Sequence, residues 1–598
     1  MKKKRPKRLC ALILSLTLAL TPAAHALTVE QAGELLQEYY IDPVPEQVLE
    51  QDTVAGMVAA LGDPYTAYFT AEEYASFENS MTDISAVGTG LLLLFTQEGL
   101  LVDRAYEGLP GAQAGIQAGD LIIAIDGWSV LGAGMEEVNQ HLVGEAGSVV
   151  EFTLLRAGEQ LTIAATRQAL TLPATYTELW DGHIGYIDCD TFGAETLGHF
   201  QDGLETYADA ADRWIVDLRQ NGGGSLDACL DTASCFNTGA LLHLQDRSGR
   251  YETFASQQTS LTDAPVIVLT DGGSASASEL FAAFIRDANA GILVGERTYG
   301  KGVAQLVFDQ ASNPDYFPEG DALKVTVYRI YSAGSGTTAD TIGVIPHLLV
   351  EDELAPIVAQ LLSAPTPQQG QEGMLRVELG WRWYVDLEQA MSQAGRAAFV
   401  ALLEALPPSA RVQEGTASGG WTETTAADLA EKYGLTEYTP RGFSDVAGSP
   451  YEEDIQQLAT YGLINGMGDG TFHPQDTLTR AQACALLAQV LHCALPEGES
   501  IFSDVDPDIW DAPAVNAMAG LGLVEGVGNG RFDPEGTLTQ QQLITILDRL
   551  GSRLNLYLDS AELLWDVLED GQPQAAATRE ETAALTCTLL ERMGILPD

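Results

Sequence analysis

Three serines at alternate positions, Ser274, Ser276 and Ser278, lie in DGGSASASEL, between the apolar runs VIVLT and LFAAFI. A strand passing through two glycines into a helix makes a turn that exposes a side chain. Helix N-terminal amides there favour developing negative charge. Such a turn suits a nucleophile, and equally an ordinary Ser-rich helix cap. A serine hydroxyl attacks at neutral pH only beside a base, and the nearest histidines, His243 and His347, stand in no recognisable motif. Downstream, in GERTYGKGVAQ, Lys301 stands between two glycines after the apolar run ILV. An amine serves as a base when burial lowers its pKa by several units. Ser-Lys pairs are one form of the triad logic; a solvated loop lysine is the plainer reading. Upstream, DLRQNGGG runs from Asp217 to Gly224. Its glycines let the backbone approach a ligand closely, as half of an oxyanion hole or as a plain turn.

The elements that must position these residues follow from hydrophobic period. Between 169 and about 350, strand-like runs (HIGYIDCDTF, RWIVDLRQ, APVIVLTD, GILVGERTYG, LKVTVYRIY) alternate with helical ones (LGHFQDGLETYADAA, SELFAAFIRDANA). This implies an α/β core with mainly parallel strands. Residues 27–82 read as helical and end in the aromatic segment LGDPYTAYFTAEEYASF. Residues 83–168 show short β runs with glycine punctuation, which suits a compact domain. From 363 to 440 a Pro/Gln-rich linker, APTPQQGQEG, precedes helical patterns such as LEQAMSQAGRAAFVALLEAL.

The C-terminal part repeats itself: Phe443-Ser-Asp-Val recurs from Phe502, Gly470-Thr-Phe-His-Pro from Gly530, and Leu478-Thr from Leu538. Thr578-Arg579-Glu580-Glu581, before an apolar helix, reads as the tail of a degenerate third copy.

SASASE, then GERTYGKGVAQ, with DLRQNGGG upstream, resemble the carboxyl-terminal processing (tail-specific) serine peptidases over residues 27–362. The resemblance implies a crotonase-like α/β Ser-Lys peptidase core at 169–362, with an N-terminal helical region at 27–82. Ser276 becomes the nucleophile, Lys301 its base and Gln305 the residue orienting the amine. The amides of Gly223 and Ala277 form the oxyanion hole, and Ser274 and Ser278 are turn and cap residues. GLPGAQAGIQAGDLIIAIDG is similar to the family's PDZ domain, a β-sandwich or barrel-like fold at 83–168. Gly88, Thr89 and Gly90 would cap a peptide carboxylate, and Leu91 would start the edge strand that pairs with the peptide. His347 stands where the family usually has aspartate, and GTG replaces the commoner G-I-G.

The repeats resemble S-layer homology domains, mainly helical modules at 441–497 and 498–556 with the degenerate copy at 557–598. That resemblance implies binding to the secondary polysaccharide of a Gram-positive-type wall. Thr479 and Arg480 match the binding motif, the second copy has Thr539-Gln540 instead, and Arg579 restores the arginine, so two grooves at most are expected. A guanidinium suits a carboxylate-bearing sugar.

MKKKRPKR, the apolar LCALILSLTLAL and the small-x-small site Ala24-His25-Ala26 read as a signal peptide over residues 1–26. Its removal leaves 24 Lys+Arg against 84 Asp+Glu, a charge of about −60 that repels nucleic acid and anionic membrane. The six remaining cysteines form no C-x-x-C pair, and no metal or cofactor is called for. The expectation is a multidomain α/β and α+β protein, a secreted, wall-attached serine endopeptidase. It would cleave exported proteins near their C-termini through an acyl-enzyme. Its partners are protein or peptide tails and wall polysaccharide, with homodimer formation left open. The competing expectations are a catalytically silent PDZ-containing binding or structural protein held by the repeats, or a hydrolase using His243 or His347.

Overall fold

The computed structural model describes residues 27–597 apart from 81–83, 97, 107, 173, 494, 496–497, 499 and 569–570. The signal-peptide segment lies outside the described residues. The described residues form two compact units, one of residues 75–176 with 193–195, the other of residues 27–74, 177–192 and 196–597.

In the first unit, strands run in the order Leu91–Thr96, Gly99–Ala105, Leu121–Ile125, Val149–Arg156 and Glu159–Thr166. Every pairing is antiparallel. The alternation in VVEFTLLR turns Val150, Phe152 and Leu154 into a core with Leu100, Val102, Ile122 and Val138. Arg156 holds the nearly inaccessible Asp120 through two hydrogen bonds of 2.6 Å.

The second unit is built on parallel strands Ile184–Cys189, Arg213–Asp217, Val266–Thr270, Gly291–Gly295 and the short Leu348–Leu349. These strands are apolar on both sides, so both faces of the sheet need cover. One face packs on helices Thr196–Thr206, Leu226–Ser234 and Ala277–Asp287 through Phe200, Leu230 and Phe281. The other packs on helix Ala355–Leu362 and on residues 374–435. Those residues, expected as a linker with some helix, contain an antiparallel sheet of Met374–Leu379, Trp381–Asp386, Arg411–Gly415 and Trp421–Thr424. Its Leu375, Val377 and Trp383 share one core with Ile184, Ile215 and Ile267. The segment is the second cover of the parallel sheet, a task that no local pattern in its sequence announces.

Ala322–Ser332, read from sequence as one more strand of the α/β alternation, instead joins an antiparallel sheet with Ala67–Phe69, Val303–Phe308, Leu241–Gln245 and Tyr251–Ala255. The helices Val29–Tyr39 and Val54–Leu61 pack on it through Leu36 and Met57 against Leu323 and Val325.

The repeats form a ring closed by backbone hydrogen bonds. Leu478 N–H donates to Ala577 O (3.1 Å), Ala577 N–H to Leu538 O (2.9 Å), and Leu538 N–H to Leu478 O (3.0 Å). The degenerate copy supplies helices Ala561–Val567 and Arg579–Arg592 and takes the third place in the ring. Among the described residues, no helix is long and apolar enough to cross a membrane.

Candidate active site

The strand Val266–Thr270 ends at Asp271, whose buried carboxylate organises both loops at the strand ends. It accepts hydrogen bonds from the backbone N–H and side-chain amide of Gln220, from Gly273 N–H (2.9 Å) and from Ser274 N–H (3.1 Å). Ser274 Oγ donates to Leu218 O (2.7 Å), and Ser278 Oγ to Asn221 O (2.9 Å). The outer two serines therefore tie the DGG turn to the DLRQNGGG loop.

Ser276 stands between them at the N-cap of helix Ala277–Asp287, with φ 58° and ψ −113°. A non-glycine residue in such a conformation is strained, and strain of this kind persists where the surroundings over-determine it. The restraint comes from Glu279, which accepts Ser276 N–H at 2.8 Å. The same carboxylate accepts Gly300 N–H (2.7 Å), Lys301 N–H (2.8 Å) and Thr298 Oγ1–H (2.6 Å). Burial raises the Glu279 pKa, while these four donors favour its ionised form. One buried carboxylate thus fastens the serine turn to the lysine loop.

Lys301 lines the same small cavity as Ser276, together with Leu280, Ala283, Ile330 and Ala339. Burial pushes its pKa down to about 8, helped by the like charge of Lys324 and opposed by Glu279 and Asp63. Its Nζ sits 4.9 Å from the centre of the Tyr65 ring, a cation–π contact. Tyr65 comes from the aromatic segment LGDPYTAYFT, which reaches this place because Ala67–Phe69 pairs with Ala322–Lys324.

Other expected residues are placed differently. Gln305 carries its amide toward Thr326 Oγ1 (3.4 Å) and makes no hydrogen bond to Lys301. Gly223 packs against Ser276, since a Cβ there would come within 2.9 Å of the serine Cβ. Its N–H donates to Asn221 Oδ1 at 2.8 Å. Ala277 N–H has no partner among the described residues. His347 is buried and accepts Leu293 N–H at 3.0 Å, and burial pushes its pKa down to about 3, so it is a neutral core residue. His243 is hydrogen-bonded to Thr253 Oγ1 (2.8 Å) and Tyr557 Oη (2.5 Å).

In the first unit, Gly88 ends a strand paired with Gln168–Leu172. Thr89 O accepts Gly111 N–H (2.7 Å), and Gly90 O accepts Tyr106 N–H (3.0 Å). Gly90 has φ 70°, and a Cβ there would lie 2.5 Å from Leu109, so glycine is required. Leu91 begins the strand at the sheet's edge.

In the repeats, Thr479 caps its helix, accepting Gln482 N–H (3.2 Å) and donating its own N–H to Gln482 Oε1 (3.0 Å). Arg480 reaches across to the second repeat, donating to Phe532 O (3.0 Å) and Glu525 O (2.8 Å) above the Phe532 ring. Arg579 does the same to the first repeat through Phe472 O (2.7 Å) and Asn465 O (3.2 Å). Both guanidiniums tie repeat to repeat. Arg579 also lines a cavity of about 610 Å³ with Gln482, Gln489, His492 and Trp510.

The model of Peptidase family S41 matches residues 183–350, the PDZ domain 101–156, and the S-layer homology domain 442–484 and 501–544. The Activating protease CtpB N-terminal domain matches 20–73. The C-terminal processing peptidase, chloroplastic, of Tetradesmus obliquus is 30% identical over 345 residues, covering 54% of this chain and 72% of that protein. The chain belongs to the carboxyl-terminal processing proteases. A carboxyl-terminal-processing protease from Picosynechococcus sp. is 29% identical over 407 residues, covering 62% of this chain and 96% of its own. The solved photosystem II D1 C-terminal processing protease is 26% identical, covers 55% of this chain and 93% of its own, and has a TM-score of 0.35. This carboxyl-terminal processing protease is a serine-type peptidase with a PDZ domain, and its S-layer repeats mark it for attachment to a cell surface.

Sequence reading missed Glu279, Asp271, Asn221 and Tyr65. For Glu279 a signal was available, because Ser276-x-x-Glu279 has the form of a capping box. For the other three, the sequence holds residue types but no hint of partner.

Proposed function

We propose that the protein is a secreted, wall-attached endopeptidase that cleaves exported proteins near their C-termini through a Ser-Lys acyl-enzyme. Neutral Lys301 takes the Ser276 proton as Oγ attacks the carbonyl, returns it to the leaving amine, and then activates the water that hydrolyses the ester. The observation that carries the reading is a strained, partly buried Ser276 sharing its cavity with a lysine whose charge burial disfavours. In the resting arrangement the Lys301 amine lies on Tyr65, so it must turn to the serine as substrate enters. Asn221 must likewise release Gly223 N–H, which joins Ala277 N–H in binding the oxyanion. Gln305 is assigned to orient the turned amine.

The loop of Gly88, Thr89 and Gly90 with the edge strand from Leu91 would hold a substrate tail by strand addition. Wall polysaccharide is assigned to the cavity beside Arg579, with Thr479 and Arg480 at the corresponding junction of the first and second repeats.

The test compares the parent with Ser276→Ala and Lys301→Ala on unfolded casein and on peptides with apolar C-termini, products read by mass spectrometry. Cleavage by the parent alone supports the dyad. Cleavage that survives in both variants refutes it. No cleavage by any form, with Ser276 unreactive to an acyl-serine label, returns the PDZ-receptor reading.

A further inference from the structure

Between the strand Ala322–Ser332 and Pro346 runs a strap, Ser335–Ile345, with no helix or ladder of its own. Its inner side belongs to the peptidase site. Thr337 and Ala339 line the cavity of Ser276 and Lys301. Thr341 N–H donates to Gly300 O (3.0 Å), and Thr298 N–H to Val344 O (3.2 Å). Gly302 leaves no room between the lysine loop and the strap. A Cβ there would come within 2.3 Å of Thr338 Oγ1 and 2.5 Å of Asp340.

Its outer side belongs to the repeats. Thr337 forms an antiparallel bridge with Asn555. Thr338 N–H donates to Leu554 O (2.9 Å), and Leu556 N–H to Gly336 O (3.0 Å). Asn555 Nδ2 donates to Ser335 O and to Thr337 Oγ1, each at 2.9 Å, and Thr337 Oγ1 donates to Met593 O (2.5 Å). Arg553 meets the partly buried Asp340 at 3.0 Å, and Ile342 and Ile345 are packed in the repeats' own core. A segment without its own ladder takes its shape from whatever satisfies its backbone, and on the outer side that is the repeats.

We propose that the S-layer repeats complete the peptidase: Arg553 and Asn555 are positioning residues that hold the strap against the Lys301 loop and so fix the wall of the catalytic cavity. The proposal rests on the reading of Ser276 and Lys301 as the reacting pair. A repeat module that only anchored the enzyme would need no such contacts with the cavity wall. The partly buried Asp340 makes the dependence directional, because loss of Arg553 removes the guanidinium bonded to its carboxylate beside Gly302 and leaves only the more distant charge of Arg329.

The experiment uses the full chain as parent, Arg553→Met, Asn555→Ala, Arg553→Lys and, as control, Arg531→Ala, whose side chain meets Asp504 within the second repeat. Hydrogen exchange of peptides covering 296–308 and 333–345 is measured beside steady-state cleavage and thermal unfolding. Both peptides exchange faster in Arg553→Met and Asn555→Ala, and stay at the parent rate in Arg531→Ala. Because small misplacements of catalytic groups are costly, kcat falls about tenfold in the first two variants while KM stays within about twofold. Arg553→Lys keeps a cation beside Asp340 and recovers most of the loss, even if Arg553→Met fails to fold. Unchanged exchange in both peptides, or unchanged kcat in folded Arg553→Met and Asn555→Ala, overturns the proposal. Cleavage that survives in Ser276→Ala and Lys301→Ala sinks the dyad instead, and the exchange data still decide whether the strap depends on the repeats.

Discussion

Two helices in this protein start with the same short pattern and use it in opposite ways. Thr479-x-x-Gln482 opens helix Arg480–Leu491, and Ser276-x-x-Glu279 opens helix Ala277–Asp287. In the first, Thr479 has φ −77°, its hydroxyl caps the helix, and Gln482 returns the bond to the Thr479 backbone. In the second, Ser276 has φ 58°, its side chain makes no cap, and Glu279 reaches both back to the serine backbone and outward to the lysine loop. The difference is one of conformation. A hydroxyl that satisfies the helix end is occupied, and one held in a strained conformation is left free for chemistry.

The sharpest way to break this comparison is to remove the hydroxyl. Ser276→Ala should lower kcat by at least about 10⁴-fold in a peptide-cleavage assay. Next comes the bridge: Glu279→Gln places an amide where four donors converge, and kcat should fall about 10²-fold with the chain still folded by circular dichroism.

The lysine gives a smaller, graded effect. The base works when neutral, so with a pKa of about 8 the rate should climb about tenfold per pH unit below that value and level off above it. Lys324→Met removes a like charge that holds Lys301 down, so the limb should move to higher pH by less than about one unit. A limb that stays in place, or moves down, would detach Lys324 from the base.

The smallest effects are in stability, and they have opposite signs. Ser276→Gly relieves the positive φ and should raise the unfolding free energy by about 1 kcal/mol while remaining inactive. Thr479→Ala loses a working cap and should lower it by about 1 kcal/mol. Equal signs in chemical denaturation would show that the two N-termini are not the different devices they look like.

What the sequence by itself determined is what depends on neighbours along the chain. Alternating runs such as RWIVDLRQ and APVIVLTD specify strands that are buried on both faces, and the serine, lysine and glycine motifs stand in family order. The copied Phe-Ser-Asp-Val and Gly-x-Phe-x-Pro turns specify a repeat. Tertiary structure decided which partner each group meets. Arg480 and Arg579 look like free ligand-binding cations until the ring brings Phe532 O and Phe472 O beneath them. Gly223 looks like an open amide until Asn221 folds onto it. Residues 374–435 look like spacer until the uncovered face of the parallel sheet requires them. The strap from Ser335 to Ile345 has no local pattern, because its hydrogen-bond partners on the outer side lie more than 200 positions away. Periods and caps are written in a few adjacent residues, whereas pairings of this kind exist only when distant segments have been packed together.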